Sequence, residues 1–192
     1  MKVNLYKNRN VFVAVCNAIG KEHDLVNKII VFHTDTVYGV GGLYGDEVSA
    51  EKIYEMKKRS QSKLLPVLCG SVEQVKMLTD FNDEAHKLSK HWPGALTMIL
   101  KKKNTDETLA VRIPNSKIAL TVLNHFGPLS TTSVNISGEK EVNSVEEIIE
   151  KFSEYIDYIV SDEMPLSETP STIVDVTTED IKIIRQGSII IP

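Results

Sequence analysis

The chain has 192 residues, of which 42% are apolar and 25% are charged, and 22 Lys plus Arg against 26 Asp plus Glu give a formal net charge of −4. A chain of this size buries a core without disulfides, so small stapled scaffolds are excluded. Its two cysteines lie far apart, which excludes a cysteine-based zinc cluster. The N-terminus is polar and no apolar run approaches about 18 residues. We therefore expect one cytoplasmic domain, residues 1–192, with no membrane partner.

The predicted elements alternate between helix and strand. An apolar stripe at Val11, Val15, Ala18 and Ile19 predicts a first helix, and a buried strand follows at 29–32. Further helices are predicted at about 48–58, 72–79, 83–91, 117–126 and 145–156, and strands at 65–69, 95–101, 108–113, 129–133, 158–161, 171–176 and 181–186. This alternation predicts an α/β fold with one large sheet flanked by helices. Short turns between the late strands imply antiparallel pairs, so we expect a mixed sheet.

Several strands carry polar side chains on the face opposite their apolar one. In the segment 108–113, Arg112 shares a face with Thr108 and Ala110. A solvated sheet edge would explain this segment alone. However, Ser133 and Asn135 also lie two residues apart, as side chains that share one face of an extended chain do. The repeated pattern favours a polar cavity on that face.

Two basic runs stand out. Lys57-Lys58-Arg59 is predicted at a helix C-terminus, where cations commonly complement the helix dipole. A functional role for Lys57 and Arg59 requires the helix to end before Arg59, so that the two side chains can converge. The run Lys101-Lys102-Lys103 is predicted to be a solvated hairpin tip.

Thr34-Asp35-Thr36 and the glycines that follow come directly after a predicted strand, where open α/β sheets bind ligands. The glycines match neither the P-loop pattern nor the dinucleotide fingerprint. No serine or cysteine is paired with a base, and the histidines lack metal-ligand spacing. The cations, hydroxyls and carboxamide therefore predict a site that holds an anionic substrate without a covalent nucleophile.

Taken in order, seven segments resemble the motifs of the YrdC/TsaC family of threonylcarbamoyl-adenylate synthases, over residues 10 to 188. They are Thr34-Asp35-Thr36-Val37-Tyr38-Gly39, Lys57-x-Arg59, Trp92-Pro93-Gly94-x-Leu96-Thr97, Ala110-Val111-Arg112-Ile113-Pro114, Ser133-x-Asn135-x-Ser137-Gly138, Ser171-Thr172-x-Val174-Asp175 and Arg185-x-Gly187. The resemblance implies a twisted α/β domain with a concave basic face. By this resemblance the chain looks like the short bacterial form, without the extra C-terminal domain of longer relatives.

The activity implied by the resemblance is condensation of L-threonine, bicarbonate or CO₂, and ATP to threonylcarbamoyl-AMP and pyrophosphate. A separate transferase complex then moves the threonylcarbamoyl group to adenosine 37 of tRNA. Neither chemical step needs an enzyme nucleophile, because such transfers depend on positioning and on offsetting phosphate charge. ATP is a substrate, Mg²⁺ is expected to accompany it, and no dedicated protein metal site is expected.

The resemblance also assigns site residues. ATP-contacting positions are Lys57, Arg59, Thr108, Ser133, Asn135 and Arg185, and the catalytic ones among them are Lys57, Arg59, Ser133 and Asn135. Threonine-contacting positions are Thr34, Arg112, Thr131 and Ser171, with Thr36 and Tyr38 close by. Arg112 is expected to bind the amino-acid carboxylate, because its planar fork matches two oxygens. The cations Lys57, Arg59, Lys63, Arg112 and Arg185 are thus placed in one cavity, with an acidic exterior contributed by 139–163.

Some positions depart from the family pattern, namely His33, Leu64, Thr132 and Thr169-Pro170. They affect the expected loop geometry more than the charged set. Two other function classes remain open at this point. One is a structured-RNA-binding protein that uses the same basic concavity and contacts tRNA weakly, against which the net charge of −4 argues. The other, carbamoyl transfer during hydrogenase maturation, uses a similar domain in much longer chains.

Overall fold

A computed structural model of the protein describes residues 7–8, 11–13, 24–161, 166–167 and 169–191. Over this part the strands are β1 Lys7–Asn8, β2 Val11–Val13, β3 Ile30–His33, β4 Tyr38–Leu43, β5 Val67–Leu68, β6 Leu96–Lys101, β7 Thr108–Arg112, β8 Leu129–Ser133, β9 Tyr158–Val160, β10 Thr172–Asp175 and β11 Lys182–Arg185. The helices are α1 Glu47–Lys57, α2 Val72–Leu78, α3 Asp83–Leu88, α4 Lys117–Phe126 and α5 Val145–Phe152. None of the helices described is long and apolar enough to span a membrane.

All these strands form a single sheet in the order β1-β2-β9-β3-β4-β8-β5-β7-β6-β10-β11. Four neighbouring pairs are parallel, namely β2 with β9, β9 with β3, β5 with β7, and β6 with β10. The remaining pairs are antiparallel, including the late pair β10 and β11. The prediction of a large mixed sheet flanked by helices, with an antiparallel late pair, is therefore confirmed.

Side-chain caps determine where the helices begin. Ser71 and Ser144 cap α2 and α5 by accepting from the backbone N–H groups of Gln74 and Glu147, as the capping boxes predict. Gln74 does not complete its box, since its side chain accepts from the Gly70 N–H instead. The end of α1 is marked by Lys58 in the left-handed conformation, with φ 48°. The helix thus ends at Lys57, before Arg59.

Three predictions about elements need correction. Val11 lies in strand β2, and the rest of the predicted first helix lies outside the described residues. Strand β4 was not predicted, because its Gly-rich sequence has the composition of a loop. The helices predicted at 83–91 and 145–156 are shorter than expected, since α3 continues as a single 3₁₀ turn, Ser89–His91, and α5 stops at Phe152.

The two faces of the sheet are covered differently. Alternating residues of β3 show this, because Val31 packs in the core under α1 and α5 whereas Phe32 packs in the core under α4. The face that carries Val31 continues through Val67 and Val111 into a third core cluster under α2 and α3. The opposite face has α4 over its centre. The rest of that face, toward β6, β7 and β10, lines a cavity.

Candidate functional site

A cavity of about 440 Å³ opens on the part of the sheet that α4 does not cover. Strands β6, β7, β8, β10 and β11 and the turn after β3 all contribute to its walls. Its polar lining residues are Thr34, Thr36, Arg59, Thr97, Arg112, Thr131, Thr132, Ser133, Glu141, Ser171 and Arg185. Eight of the residues singled out from the sequence are therefore brought together, namely Thr34, Thr36, Arg59, Arg112, Thr131, Ser133, Ser171 and Arg185.

Arg112, the last residue of β7, is buried and fixed by three different partners. Its Nε donates to the Gly94 carbonyl at 3.0 Å and its Nη1 to Thr36 Oγ1 at 3.2 Å. Its Nη2 pairs with Asp35 Oδ1 at 2.5 Å. The predicted inward orientation is confirmed. The unforeseen feature is Asp35, whose carboxylate takes one arm of the fork that the sequence argument reserved for a substrate carboxylate.

The turn between β3 and β4 is held by hydroxyl groups. Thr34 Oγ1 donates to the Val37 carbonyl at 2.6 Å and accepts from the Thr36 and Val37 N–H groups. Thr34 is therefore occupied in shaping the turn, and Thr36 links that turn to Arg112. The Thr-Asp-Thr motif acts here as a structural unit that fixes the arginine.

Lys57, at the end of α1, is only 2% exposed and lies beneath the cavity wall. Its ammonium donates to the Ser133 carbonyl at 2.7 Å, to the Asn135 carbonyl at 3.0 Å and to Asn135 Oδ1 at 2.6 Å. The same Oδ1 accepts from Ser133 Oγ at 2.7 Å. Lys57 and Asn135 therefore belong to one internal network with Ser133, and of the three only Ser133 lines the cavity.

Arg59 lies on the loop that leaves α1. Its Nε and Nη2 donate to the carbonyls of Lys63 and Leu64, at 3.2 and 3.1 Å. These two bonds use two of the five N–H donors of a guanidinium, so three are available to a ligand. Lys63, which the sequence placed in the cavity, is exposed outside its lining and contributes a backbone carbonyl.

The opposite wall is built by Arg185 on β11. Its Nε and Nη2 donate to the Ser171 carbonyl at 3.0 and 2.8 Å, and Nη2 reaches Ser171 Oγ at 3.1 Å. Ser171 Oγ also shares a hydrogen bond with Thr97 Oγ1. Gly187 explains the spacing Arg185-x-Gly187, because a Cβ there would lie 2.3 Å from the Pro170 carbonyl oxygen. Only glycine lets the chain pass this close to 170–172.

Two predicted contacts lie elsewhere. Tyr38 is on the opposite face of the sheet, packed in the core with Val31 and Val40, and its neighbour Gly39 faces the cavity. Side chains alternate along β4, so the predicted position of Tyr38 by the threonine site gains no support from the structure. Thr108 is exposed at the other end of β7, opposite Lys101, and outside the cavity lining. Its predicted contact with ATP gains no support from this position.

Sequence reasoning missed Asp35, Thr97 and Glu141 as site residues. Thr97 and Asp35 lie within quoted motifs. Alternation with Leu96 and Met98 was the available signal for Thr97, whereas Asp35 lies between two threonines and has no such signal. Glu141 offers no such signal, because a folded loop brings it to the lining. Of the positions that depart from the family pattern, Leu64, Thr132 and Pro170 line the cavity. His33 is buried and stacks edge-on against Tyr38.

The charges of the lining are three guanidinium groups and, among the described residues, one carboxylate, that of Glu141. The pKa of Lys57 is lowered to about 8, chiefly by burial and also by the nearby charge of Arg59, while Glu141 opposes the change. Burial and Arg112 also lower the pKa of Arg185, again opposed by Glu141. In the part of the chain described, no three His, Cys, Asp or Glu side chains are grouped to hold a metal. Positive charges therefore outnumber negative ones among the described residues of the lining.

Comparison with known proteins finds a family match over most of the chain. Residues 25–187 match the family model Sua5_yciO_yrdC, described as "Telomere recombination". A relative from Marinobacter nauticus, named threonylcarbamoyl-AMP synthase, is 30% identical over 173 residues that span 84% of this chain and 91% of its own length.

Two solved structures share the fold. Sua5 from Pyrococcus abyssi, complexed with L-threonine, superposes with a TM-score of 0.78 at 32% identity, covering 85% of this chain and 52% of its own. Escherichia coli YciO superposes with a TM-score of 0.80 at 23% identity, covering 93% of this chain and 95% of its own. The second likeness concerns the fold alone.

Proposed function

The chain belongs to the Sua5/YciO/YrdC family, and we propose that it is a threonylcarbamoyl-AMP synthase. It condenses L-threonine, bicarbonate or CO₂, and ATP, and releases pyrophosphate. The observation that carries the proposal is the cavity itself, in which Arg59, Arg112 and Arg185 converge beside the hydroxyls of β8. Relatives bearing this activity in their names favour it over the RNA-binding alternative.

The chemistry fits a cavity without a nucleophile. The threonine amine attacks the carbon of CO₂ and loses a proton to solvent, or attacks the carbon of bicarbonate with loss of water, and either route gives a carbamate. A carbamate oxygen then attacks the α-phosphorus of ATP, and the bond to the bridging oxygen breaks to release pyrophosphate. Fixed guanidinium groups offset the phosphate charge and hold the reactants in line, which is the main source of rate in such transfers.

We assign the reactants to different walls. The nucleotide contacts Arg59, Arg185 and Ser133, and threonine contacts Arg112, Thr131 and Ser171, with Thr34 and Thr36 shaping that side. Arg112 donates three of its five N–H groups within the protein, so two remain for a substrate carboxylate beside Asp35. Lys57 and Asn135 act from beneath the wall.

Mg²⁺ fits this donor set as a companion of ATP. The lining is rich in arginine and offers the Glu141 carboxylate, a hard oxygen ligand of the kind Mg²⁺ shares with substrate phosphates. When bound, the ion would neutralise phosphate charge. We further propose that the product is used in the cytoplasm by a threonylcarbamoyl transferase complex acting on adenosine 37 of tRNA.

The test is pyrophosphate release from purified protein supplied with ATP, L-threonine and bicarbonate. We expect release that requires all three, and release independent of threonine or of bicarbonate would reject the proposal. Arg112→Ala should raise the KM for threonine more than the KM for ATP. Equal threonine affinity in wild type and variant would refute that assignment. Tight tRNA binding at low salt, without synthesis, would support the RNA-binding alternative instead.

A further inference from the structure

The hydrogen bonds around Lys57 use every donor that its ammonium has. A lysine ammonium carries three N–H groups, and here they go to Ser133 O, Asn135 O and Asn135 Oδ1. The side chain is 2% exposed and absent from the cavity lining. No donor is therefore left for a phosphate oxygen unless this network breaks.

Asn135 is satisfied in the same way. Its Nδ2 donates to the carbonyls of Ile136 and Glu139, at 3.0 and 2.8 Å. Its Oδ1 accepts from Lys57 and from Ser133. These partners fix which end of the amide is oxygen, because both groups next to Nδ2 are acceptors and both next to Oδ1 are donors.

The consequence falls on Ser133. A serine hydroxyl has one proton, and here it is given to Asn135 Oδ1 at 2.7 Å. Its oxygen accepts from no donor in the described part of the chain, and the residue lines the cavity. Thr131, two residues earlier on β8, likewise gives its proton to the protein, at the Leu129 carbonyl. The β8 wall thus offers lone pairs, whereas the arginines offer N–H groups.

We propose that Ser133 faces the substrates as a hydrogen-bond acceptor, and that Lys57 and Asn135 are positioning residues that hold it so. Phosphate oxygens accept hydrogen bonds and cannot use such a group, so phosphate recognition falls to the arginines. Ser133 instead recognises an N–H or O–H donor. Two groups could be this donor, the amine of threonine and a ribose hydroxyl of ATP. Both belong to the substrates of the proposed function, on which this part of the proposal rests.

Titration calorimetry with inorganic pyrophosphate tests the first half. Wild type is compared with Ser133→Ala, Lys57→Met and Arg59→Met, after thermal unfolding has shown that each variant is folded. We expect Ser133→Ala and Lys57→Met to bind pyrophosphate within about 3-fold of wild type, and Arg59→Met to lose about 10-fold or more. A loss in Ser133→Ala or Lys57→Met comparable to that in Arg59→Met would overturn the proposal. If Lys57→Met does not fold, Ser133→Ala alone decides.

Titration with ATP, 2′-deoxy-ATP, 3′-deoxy-ATP and L-threonine identifies the donor. If a ribose hydroxyl is the donor, wild type binds the analogue that lacks this hydroxyl about 10-fold more weakly than ATP. Ser133→Ala then binds ATP and that analogue with the same affinity. If the amine is the donor, Ser133→Ala weakens threonine binding about 10-fold and leaves the ratio of ATP to deoxy-ATP unchanged. Lys57→Met should reproduce the same loss, since it displaces the acceptor.

Unchanged affinity of Ser133→Ala for every one of these ligands would also overturn the proposal. The proposed function fails separately. A wild-type protein that binds pyrophosphate, ATP and threonine as expected, yet releases no pyrophosphate in the turnover assay, refutes the synthase while leaving the role of Ser133 intact.

Discussion

Two basic runs of similar sequence have different structural environments in this molecule. Lys57-Lys58-Arg59 ends a helix beneath the cavity, with Lys57 buried and Arg59 in the lining. Lys101-Lys102-Lys103 forms a hairpin tip, where Lys102 pairs with Glu107 and Lys103 reaches the carbonyl of Lys76.

The difference comes from what the following chain does. After Lys57 a left-handed residue ends the helix, and the loop carbonyls of Lys63 and Leu64 then hold Arg59 at the cavity. After Lys101 the chain turns back into β7, and the side chains of Lys101 and Lys103 remain exposed. A high density of basic residues in the sequence therefore does not by itself show which run lies at the cavity. The turn that follows the charges does.

The largest expected effect separates the two runs by activity. Arg59→Ala should lower kcat/KM for pyrophosphate release by about 10²-fold, because a fixed charge next to the phosphates is lost. Lys102→Ala, which removes a charge of the same sign at the hairpin, should change kcat/KM by less than about 2-fold. Steady-state kinetics at saturating threonine and bicarbonate make the comparison. Equal losses in both variants would mean that only overall charge matters.

The second effect separates them by stability. Lys57→Met leaves two buried carbonyls, those of Ser133 and Asn135, without their lysine donor, and should lower the free energy of unfolding by about 2–3 kcal/mol. Lys102→Met should leave it almost unchanged, because that ammonium pairs with an exposed carboxylate. Urea unfolding at neutral pH measures both. A Lys57→Met protein as stable as wild type would show that burial of the ammonium costs as much as its hydrogen bonds contribute.

The third effect concerns pH. The pKa of Lys57 is about 8 in the folded protein and 10.5 ordinarily, so between these values the unfolded chain binds more protons. Stability must therefore rise with pH through this window on account of Lys57. Subtracting the unfolding free energies of Lys57→Met from those of wild type, from about pH 7 to about pH 9, isolates this contribution. A difference that stays flat would contradict the lowered pKa.

Measurements should stop near pH 9, the ordinary pKa of cysteine, because burial raises the pKa of Cys69 to about 12. Above that pH the unfolded chain loses a proton that the folded one keeps, and stability falls with pH. The two buried groups thus act in opposite directions, and the window below pH 9 separates them.

Most of the fold followed from sequence patterns, because helices α1, α2, α4 and α5 begin at recognisable caps and most strands have clear apolar faces. Strand β4 was not predicted from the sequence, because its glycines have no side chains that could show a polar–apolar alternation. Only its pairing with β3 and β8 identifies it as a strand. Alternation placed Arg112 correctly and did not reveal its pairing with Asp35. Motif matching alone also could not tell that Lys57 lies behind Ser133, because that depends on hydrogen bonds between residues 76 apart in the chain.

The smallest effect probes the hairpin run by itself. Lys102 and Glu107 are joined at 3.1 Å, with side chains 36% and 71% exposed, so water and salt screen the pair. Glu107→Gln should lower the free energy of unfolding only slightly in low salt and by still less in about 0.5 M NaCl. Kinetic constants should not change, since neither residue lines the cavity. A raised KM for ATP in Glu107→Gln would mean that the hairpin helps to bind the nucleotide, and the contrast between the two basic runs would then be one of degree.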